Sequence, residues 1–141
     1  MRRNLTLEDL GDLLERPILA ILATRRKNGE ILLSPVCHEW RDGELLFTVY
    51  AGDLKSRHIR RDPRITLLIA ESEHPLRGLQ LTGEAVIDAE ADANELMARL
   101  GARYGNDVGQ DDFANAYAPG ILDVVRLRPS HVRAWDYADE Y

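Results

Sequence analysis

The chain has 141 residues, 45% of them hydrophobic and 30% charged, and its formal net charge is −6. This length favours one domain over residues 1–141 with a core that needs no cross-links, and the one cysteine, Cys37, excludes an internal disulfide and a cysteine-rich zinc site. The negative charge argues against bulk nucleic-acid binding, and without an apolar membrane-length run or a secretory signal pattern we expect a cytoplasmic protein.

The first third of the chain predicts one helix followed by a three-stranded meander. Thr6 and Asp9 have the spacing of a capping box at the start of an amphipathic stretch, and Pro17 ends that stretch. Asn28 followed by Gly29 is the strongest hairpin signal, because both positions of a tight turn must tolerate positive φ. The predicted elements are a helix over residues 6–15 and strands over residues 18–24, 31–40 and 45–50.

A basic segment follows the third predicted strand. Residues 55–64 contain five Lys or Arg and one Asp, so this segment is positive within an acidic chain. Gly52 allows a tight turn, and Asp53 can cap a helix that begins there. A helix start beside Lys55 is a candidate phosphate site, because it combines open N–H donors, a positive dipole end and a point charge. A solvated basic helix between two strands explains the same residues equally well.

The rest of the chain predicts more strands and a second helix. Gly83, inside one predicted strand, indicates a bulge or a close approach of another chain segment. The turns between the first three strands are too short for parallel crossovers, so we predict a mainly β (α+β) fold, a six-stranded antiparallel barrel with flanking helices. The elements are strands over residues 65–70, 79–87 and 121–127, the last extended or followed by residues 132–137, a helix over residues 89–104, a loop over residues 105–112 and a helical turn over residues 112–117.

The residue types that usually carry catalysis do not form a recognisable set. The four histidines are 16 or more residues apart, which is not a local metal-ligand spacing, so we expect no metal site. Cys37 and His38 are neighbours in a predicted strand and point to opposite faces, which argues against a nucleophilic pair. Any transfer chemistry would therefore need a bound cofactor. Trp135 and Tyr50 are either packing residues or a stacking surface for a flat ligand.

Five short passages occur in an order that has a parallel in a known superfamily. They are residues 18–24 with Asn28-Gly29-Glu30; Ser34-Pro35-Val36 with Trp40 and Asp42-Gly43; Lys55-Ser56-Arg57-His58-Ile59-Arg60-Arg61-Asp62-Pro63-Arg64; Leu81-Thr82-Gly83-Glu84-Ala85; and Arg133-Ala134-Trp135-Asp136. Together they resemble the flavin-binding split barrels of the pyridoxamine-phosphate-oxidase type, in particular the branch of flavin- and deazaflavin-dependent oxidoreductases. The third passage, similar to the KxxNLRRDPRV motif of that branch, is the most specific, although His58 stands where the motif has Asn.

The resemblance implies a split β-barrel that forms a homodimer with two cofactor sites at the subunit interface. It also implies that the flat cofactor ring lies against the second and third strands, that the phosphate tail meets the start of the basic helix, and that the partner subunit contributes a C-terminal aromatic residue. Carried onto this sequence, the expected cofactor-binding residues are Ser34, Pro35, Val36, Thr48 and Tyr50 for the ring, Lys55, Arg60 and Arg61 for the tail, and Trp135 from the partner.

The activity implied by the resemblance is hydride transfer between a reduced cofactor and a small organic substrate, with no committed catalytic side chain. The basic run and the Trp-Asp ending favour the deazaflavin coenzyme F-420, whose tail carries a phosphate and several glutamates, and FMN is the alternative. A non-catalytic carrier of the same cofactor and a flavin-binding sensor are the other functions that the sequence leaves open.

Overall fold

The computed structural model describes residues 1–105 and 116–140, and its centre is an eight-stranded antiparallel sheet that curls into a half-barrel. The strand order is β2-β1-β5-β6-β7-β4-β3, and β8 pairs with β6 beside this path. The strands are β1 (Ala20–Arg25), β2 (Ile31–Val36), β3 (Glu39–Arg41), β4 (Glu44–Tyr50), β5 (Arg64–Ala70), β6 (Gly78–Asp88), β7 (Leu122–Leu127) and β8 (His131–Trp135), and the α-helices are α1 (Leu54–Arg61) and α2 (Ala93–Tyr104).

The predicted fold class is confirmed, with two more strands than expected. The predicted strand over residues 31–40 divides into β2 and β3, because the backbone at His38 leaves the ladder: its amide donates to the Tyr104 hydroxyl over 3.1 Å. Residues 132–137 do not extend β7; β8 instead pairs with β6, with Gly78 opposite Trp135. The predicted helical turn over residues 112–117 and most of the loop before it lie outside the described residues.

The first predicted helix is wrong as one continuous α-helix. Two short 3-10 turns, Glu8–Leu10 and Leu13–Glu15, replace it, and Gly11 lies between them with a φ of 61°. The predicted capping hydrogen bond still forms, because the Thr6 amide donates to the Asp9 carboxylate over 2.8 Å. A Gly with positive φ breaks the helical hydrogen-bond pattern after a single turn.

Two apolar clusters hold the molecule together. Alternate residues of the strands fill the barrel, where Phe47 and Leu67 are fully buried. The second cluster lies between α2 and the opposite face of β4 and β7, and it includes Met97 and Leu100. Within residues 1–105 and 116–140, no helix is long and apolar enough to cross a membrane.

The outer face of the sheet is partly apolar and uncovered. Strand register places Pro35, Ile21 and Leu68 in one row across β2, β1 and β5. The neighbouring row begins with Leu33, whose side chain is 63% exposed. A cavity of about 360 Å³ opens on this face, and its lining includes Ala23, Arg25, Ile31, Arg64, Thr66, Thr82 and Glu84. We call this surface the outer face.

Candidate basic groove and cofactor site

Helix α1 begins where the sequence predicts it. Gly52 turns the chain with a φ of 83°, and the Asp53 side chain accepts from the Ser56 amide over 2.9 Å. This is the N-cap geometry, in which a carboxylate satisfies an amide of the first turn. The helix ends before Pro63, because the residue ahead of a proline avoids helical backbone angles.

The cations predicted to bind a phosphate tail are not equivalent in the structure. Lys55 Nζ lies 3.2 Å from Asp53 Oδ2, so a carboxylate already occupies the start of the helix. Arg60 donates to both carboxylate oxygens of Asp123 at 3.0 Å. Arg61 points elsewhere, and its guanidinium donates to the Arg25 carbonyl. Two of the three predicted cations are therefore neutralised within the chain, and the third faces another surface.

That surface is a groove between α1 and the turn that joins β1 to β2. Its volume is about 430 Å³, and it is lined by Arg26, Lys27, Asn28, Leu54, Arg57, His58 and Arg61. We call it the basic groove. In the part of the chain that the structure describes, none of its four Arg and Lys side chains forms an ion pair with a carboxylate, whereas neighbouring cations such as Arg64 do. In a chain of net charge −6, such a cluster attracts anions.

Helix and hairpin geometry bring the groove residues together. Leu54, Arg57, His58 and Arg61 occur at intervals of three or four residues, so they share one helical face. The β1–β2 hairpin then presents its turn, residues 26–29, to that face. The residues predicted from the sequence did not include Arg26, Lys27 and Arg57. The available signal was the pair of cations directly before the Asn28-Gly29 turn, which sets them at a loop tip.

His58 lies at the edge of the basic groove and is 5% exposed. Its Nδ1 is 3.0 Å from the Thr24 hydroxyl, which is itself buried. Burial lowers the pKa of His58 below its usual value, and the nearby Arg61, Arg26 and Arg57 lower it further. Both causes favour the neutral form of the ring.

The residues predicted to contact a cofactor ring fall on different faces of one protomer. In β2, Pro35 is exposed on the outer face, whereas Ser34 and Val36 point into the barrel. In β4, Thr48 faces α2, and its hydroxyl donates to Met97 Sδ over 3.3 Å. Tyr50 is 46% exposed at the end of β4. One protomer alone does not bring all nine predicted residues together.

Trp135 lies across the backbone of a neighbouring strand on the outer face. Its ring covers Gly78, where a Cβ atom would overlap the indole. The Arg133 guanidinium sits over the other side of the ring, 4.4 Å from its centroid, a cation–π arrangement. Because residue 78 has no side chain, the Trp135 indole can lie flat against the strand, and it is partly exposed there.

Other reactive side chains of the described residues are structural. Burial raises the pKa of the Cys37 thiol, which makes it a poor nucleophile. His38 is fully buried, and its Nε2 donates to the Ile18 carbonyl over 2.8 Å. Within the described part of the chain, no three His, Cys, Asp or Glu residues are grouped so that they could hold a metal ion.

Comparisons with known proteins agree on one fold. The profile of the family described as pyridoxamine 5'-phosphate oxidase matches residues 7–136. Among solved structures, conserved hypothetical protein Rv2991 from Mycobacterium tuberculosis is similar with a TM-score of 0.78 and 23% identity, covering 96% of this chain and 87% of that one. No curated protein matches this chain.

Two further structures carry names that mention cofactors. A protein described as an F420 reductase is similar with a TM-score of 0.70 and 23% identity, covering 86% of this chain and 93% of that one. A FAD-binding protein from Mesorhizobium loti is similar with a TM-score of 0.70 and 15% identity, covering 94% of this chain and 95% of that one. At these identities the likeness establishes the shared fold.

Proposed function

Because this chain belongs to the pyridoxamine 5'-phosphate oxidase family, a family of flavin-binding oxidoreductase type, we propose that it is an oxidoreductase that uses the deazaflavin coenzyme F-420 to transfer hydride to or from a small organic substrate. The observation that carries the choice of cofactor is the basic groove, whose four cations have no carboxylate partner among the described residues. A tail with one phosphate needs fewer cations than a tail with a phosphate and several carboxylates.

The donors in the groove fit such a tail. The guanidinium groups of Arg26, Arg57 and Arg61 present planar N–H forks that suit phosphate and carboxylate oxygens. Lys27 adds a flexible point charge, and the Asn28 amide adds a neutral donor. Each can bind an oxygen without first breaking an ion pair, so binding avoids the cost of separating a partner. Lys55 lies on the same helix and would reach the phosphate after releasing Asp53.

The bound deazaflavin would supply the hydride-transfer chemistry. The chain itself would bind the tail in the basic groove and orient the ring. Burial makes Cys37 a poor nucleophile, which agrees with a reaction that needs positioning and water exclusion more than a nucleophilic side chain.

A second copy of the chain completes the proposed site. The apolar rows on the outer face, with Leu33 and Ile31 more than half exposed, are typical of a surface that another subunit covers. In a homodimer, Trp135 of each subunit would meet the cofactor bound to the other. This arrangement explains why the predicted ring-binding residues do not converge within one protomer.

The test of this function compares two double variants. One removes two cations from the basic groove, and the control removes two cations from another surface. We expect the double variant Arg26→Ala/Arg57→Ala to bind F-420 at least about a hundredfold more weakly, since each of the two lost charge-assisted hydrogen bonds contributes about 1.5–3 kcal/mol. The matched control Arg41→Ala/Arg128→Ala removes two exposed arginines that pair with Glu39 and Glu44. Equal losses in both double variants would show only a net-charge effect and would contradict the assignment.

FMN is the second candidate cofactor. Lys55 with the start of α1 is sufficient for a single phosphate if Asp53 moves away. If FMN is the cofactor, Lys55→Ala should weaken its binding about tenfold while the groove double variant binds it normally. A carrier of either cofactor would show the same binding, and turnover of reduced cofactor with an added acceptor separates the catalyst from the carrier.

A further inference from the structure

His58 has one satisfied nitrogen and one that is free to meet a ligand. Its Nδ1 is held 3.0 Å from the Thr24 hydroxyl, and the ring lines the basic groove. Among the described residues, no group hydrogen-bonds to Nε2. The residue is 5% exposed, and Nε2 is not fully buried, so a ligand in the groove can reach this nitrogen.

The charges around His58 are mostly positive. Arg57 and Arg61 face it from α1, and Arg26 faces it from the β1–β2 turn. Asp53, at the start of α1, is a nearby carboxylate that favours the protonated ring, and it also pairs with Lys55. Thr24 on β1 contributes a hydroxyl that carries no charge. A proton on His58 is therefore disfavoured for as long as the groove contains no anion.

We propose that His58 couples anion binding in the basic groove to proton uptake: a ligand with two or more phosphate or carboxylate groups binds the groove cations, and His58 takes up a proton to donate to it through Nε2. A bound anion offsets the repulsion from the arginines and supplies an acceptor for a ring N–H, so it favours the protonated ring although the ring stays buried. Among the groove-lining residues, His58 is of the type whose charge changes near neutrality.

The ligand class follows from the volume and charge of the groove. A space of about 430 Å³ lined by four cations suits a chain of anionic groups better than one small ion. Such a chain could be the oligoglutamate tail of the cofactor, in which case the identity of the ligand rests on the proposed function, or a free oligophosphate. Two probes distinguish these sources: γ-linked tetraglutamate and tripolyphosphate.

The direct test follows the His58 ring by NMR in the wild-type protein while each probe is added. We expect the probe that binds to raise the pKa of His58 by about one unit. At each fixed pH, the same probe should not move the signal of the exposed His131 ring, which serves as an internal control. A His58 pKa that stays constant at saturating ligand would overturn the inference, and so would failure of both probes to bind. This measurement needs no variant and is independent of turnover.

The second test measures affinity against pH. Between pH 8 and pH 6 the carboxylates of tetraglutamate remain ionised, so any change in affinity comes from the protein. We expect the wild type to bind about three- to tenfold more tightly at pH 6, because a pKa shift of about one unit in one linked group changes affinity at most tenfold. The variant His58→Asn keeps a polar side chain beside Thr24 and should bind with no such pH dependence. Identical pH profiles for both proteins would contradict a role for His58.

The outcomes separate this inference from the proposed function. If tetraglutamate or tripolyphosphate binds with proton uptake but F-420 does not bind, the proposed cofactor is wrong and the proton-linked groove stands. If F-420 binds with no change in the protonation of His58, the cofactor assignment stands and the inference fails.

Discussion

His38 is the buried ionisable residue whose environment is least compatible with charge. Its Nε2 donates to the Ile18 carbonyl, and its Nδ1 has no hydrogen-bond partner among the described residues. Burial, together with the nearby Arg103, lowers its pKa to about 4. A proton on Nδ1 would thus create a charge in the core with no compensating acceptor.

This residue predicts how stability depends on pH. Its pKa is about 6.5 when unfolded and about 4 when folded, so the unfolded chain binds more protons between these values and stability falls as the pH falls. From pH 7 to pH 4.5 we expect the wild type to lose about 2 kcal/mol more than His38→Gln, whose amide can still donate to Ile18. Urea unfolding at both pH values measures the difference, and parallel losses would contradict this account.

Gly78 and Trp135 depend on each other, because a Cβ atom at residue 78 would overlap the indole ring. We expect Trp135→Ala to weaken cofactor binding about five- to tenfold, the value of an aromatic stacking contact. Gly78→Ala should weaken binding as much although the tryptophan is still present, because the added methyl displaces the ring. Cofactor titration with parallel urea unfolding is the measurement. Unchanged affinity in Gly78→Ala would show that the position of the ring does not matter.

At the scale of elements, α1 is the part of the fold that the sequence predicts best. Gly52, Asp53 and Pro63 define its start and end by local chemistry alone. The prediction of a first helix is wrong for an equally local reason, because Gly11 interrupts the amphipathic pattern. The division of residues 31–40 into two strands depends on a hydrogen bond between His38 and Tyr104 of α2. Distant partners of this kind leave no periodic signal in the sequence.

Asp53 has two roles in α1 that can be separated by substitution. It caps the helix through the Ser56 amide and neutralises Lys55. We expect Asp53→Ala to lose about 1 kcal/mol of stability, the usual value of an N-cap, and Asp53→Ser to lose little because serine also caps. Both variants free Lys55, so both should bind an anionic cofactor about two- to fivefold more tightly. Weaker binding in both would mean that Asp53 itself contacts the ligand.

For the whole molecule, the sequence indicates the barrel but not the position of the groove. Alternating apolar residues and short turns are sufficient to predict an antiparallel barrel, and Gly83 packs against the Arg128 carbonyl, the predicted close approach. The groove depends on the β1–β2 turn lying against one face of α1, which is a tertiary contact. Arg60 is predicted in the site because it lies near Lys55 in the sequence. In the fold, Arg60 forms an ion pair with Asp123.

The exposed apolar residues of the outer face predict that two copies of the chain form a dimer. We expect the wild type to be a dimer by light scattering and Leu33→Lys to be a folded monomer, because a charge at a side chain 63% exposed in the protomer would be buried at the interface. The control Ile121→Lys changes an apolar residue 47% exposed that lies before β7, and it should remain dimeric. A monomeric wild type would rule out a cofactor site shared between subunits.

A fluorescence titration of the purified protein with F-420 and, in parallel, with FMN distinguishes the two candidate cofactors. A cofactor whose anionic tail lies in the basic groove should bind with micromolar affinity, near −8 kcal/mol, and binding should weaken as salt is added because the groove contacts are electrostatic. We predict this behaviour for F-420 and at least tenfold weaker binding for FMN. Tight, salt-insensitive FMN binding without F-420 binding would contradict the account.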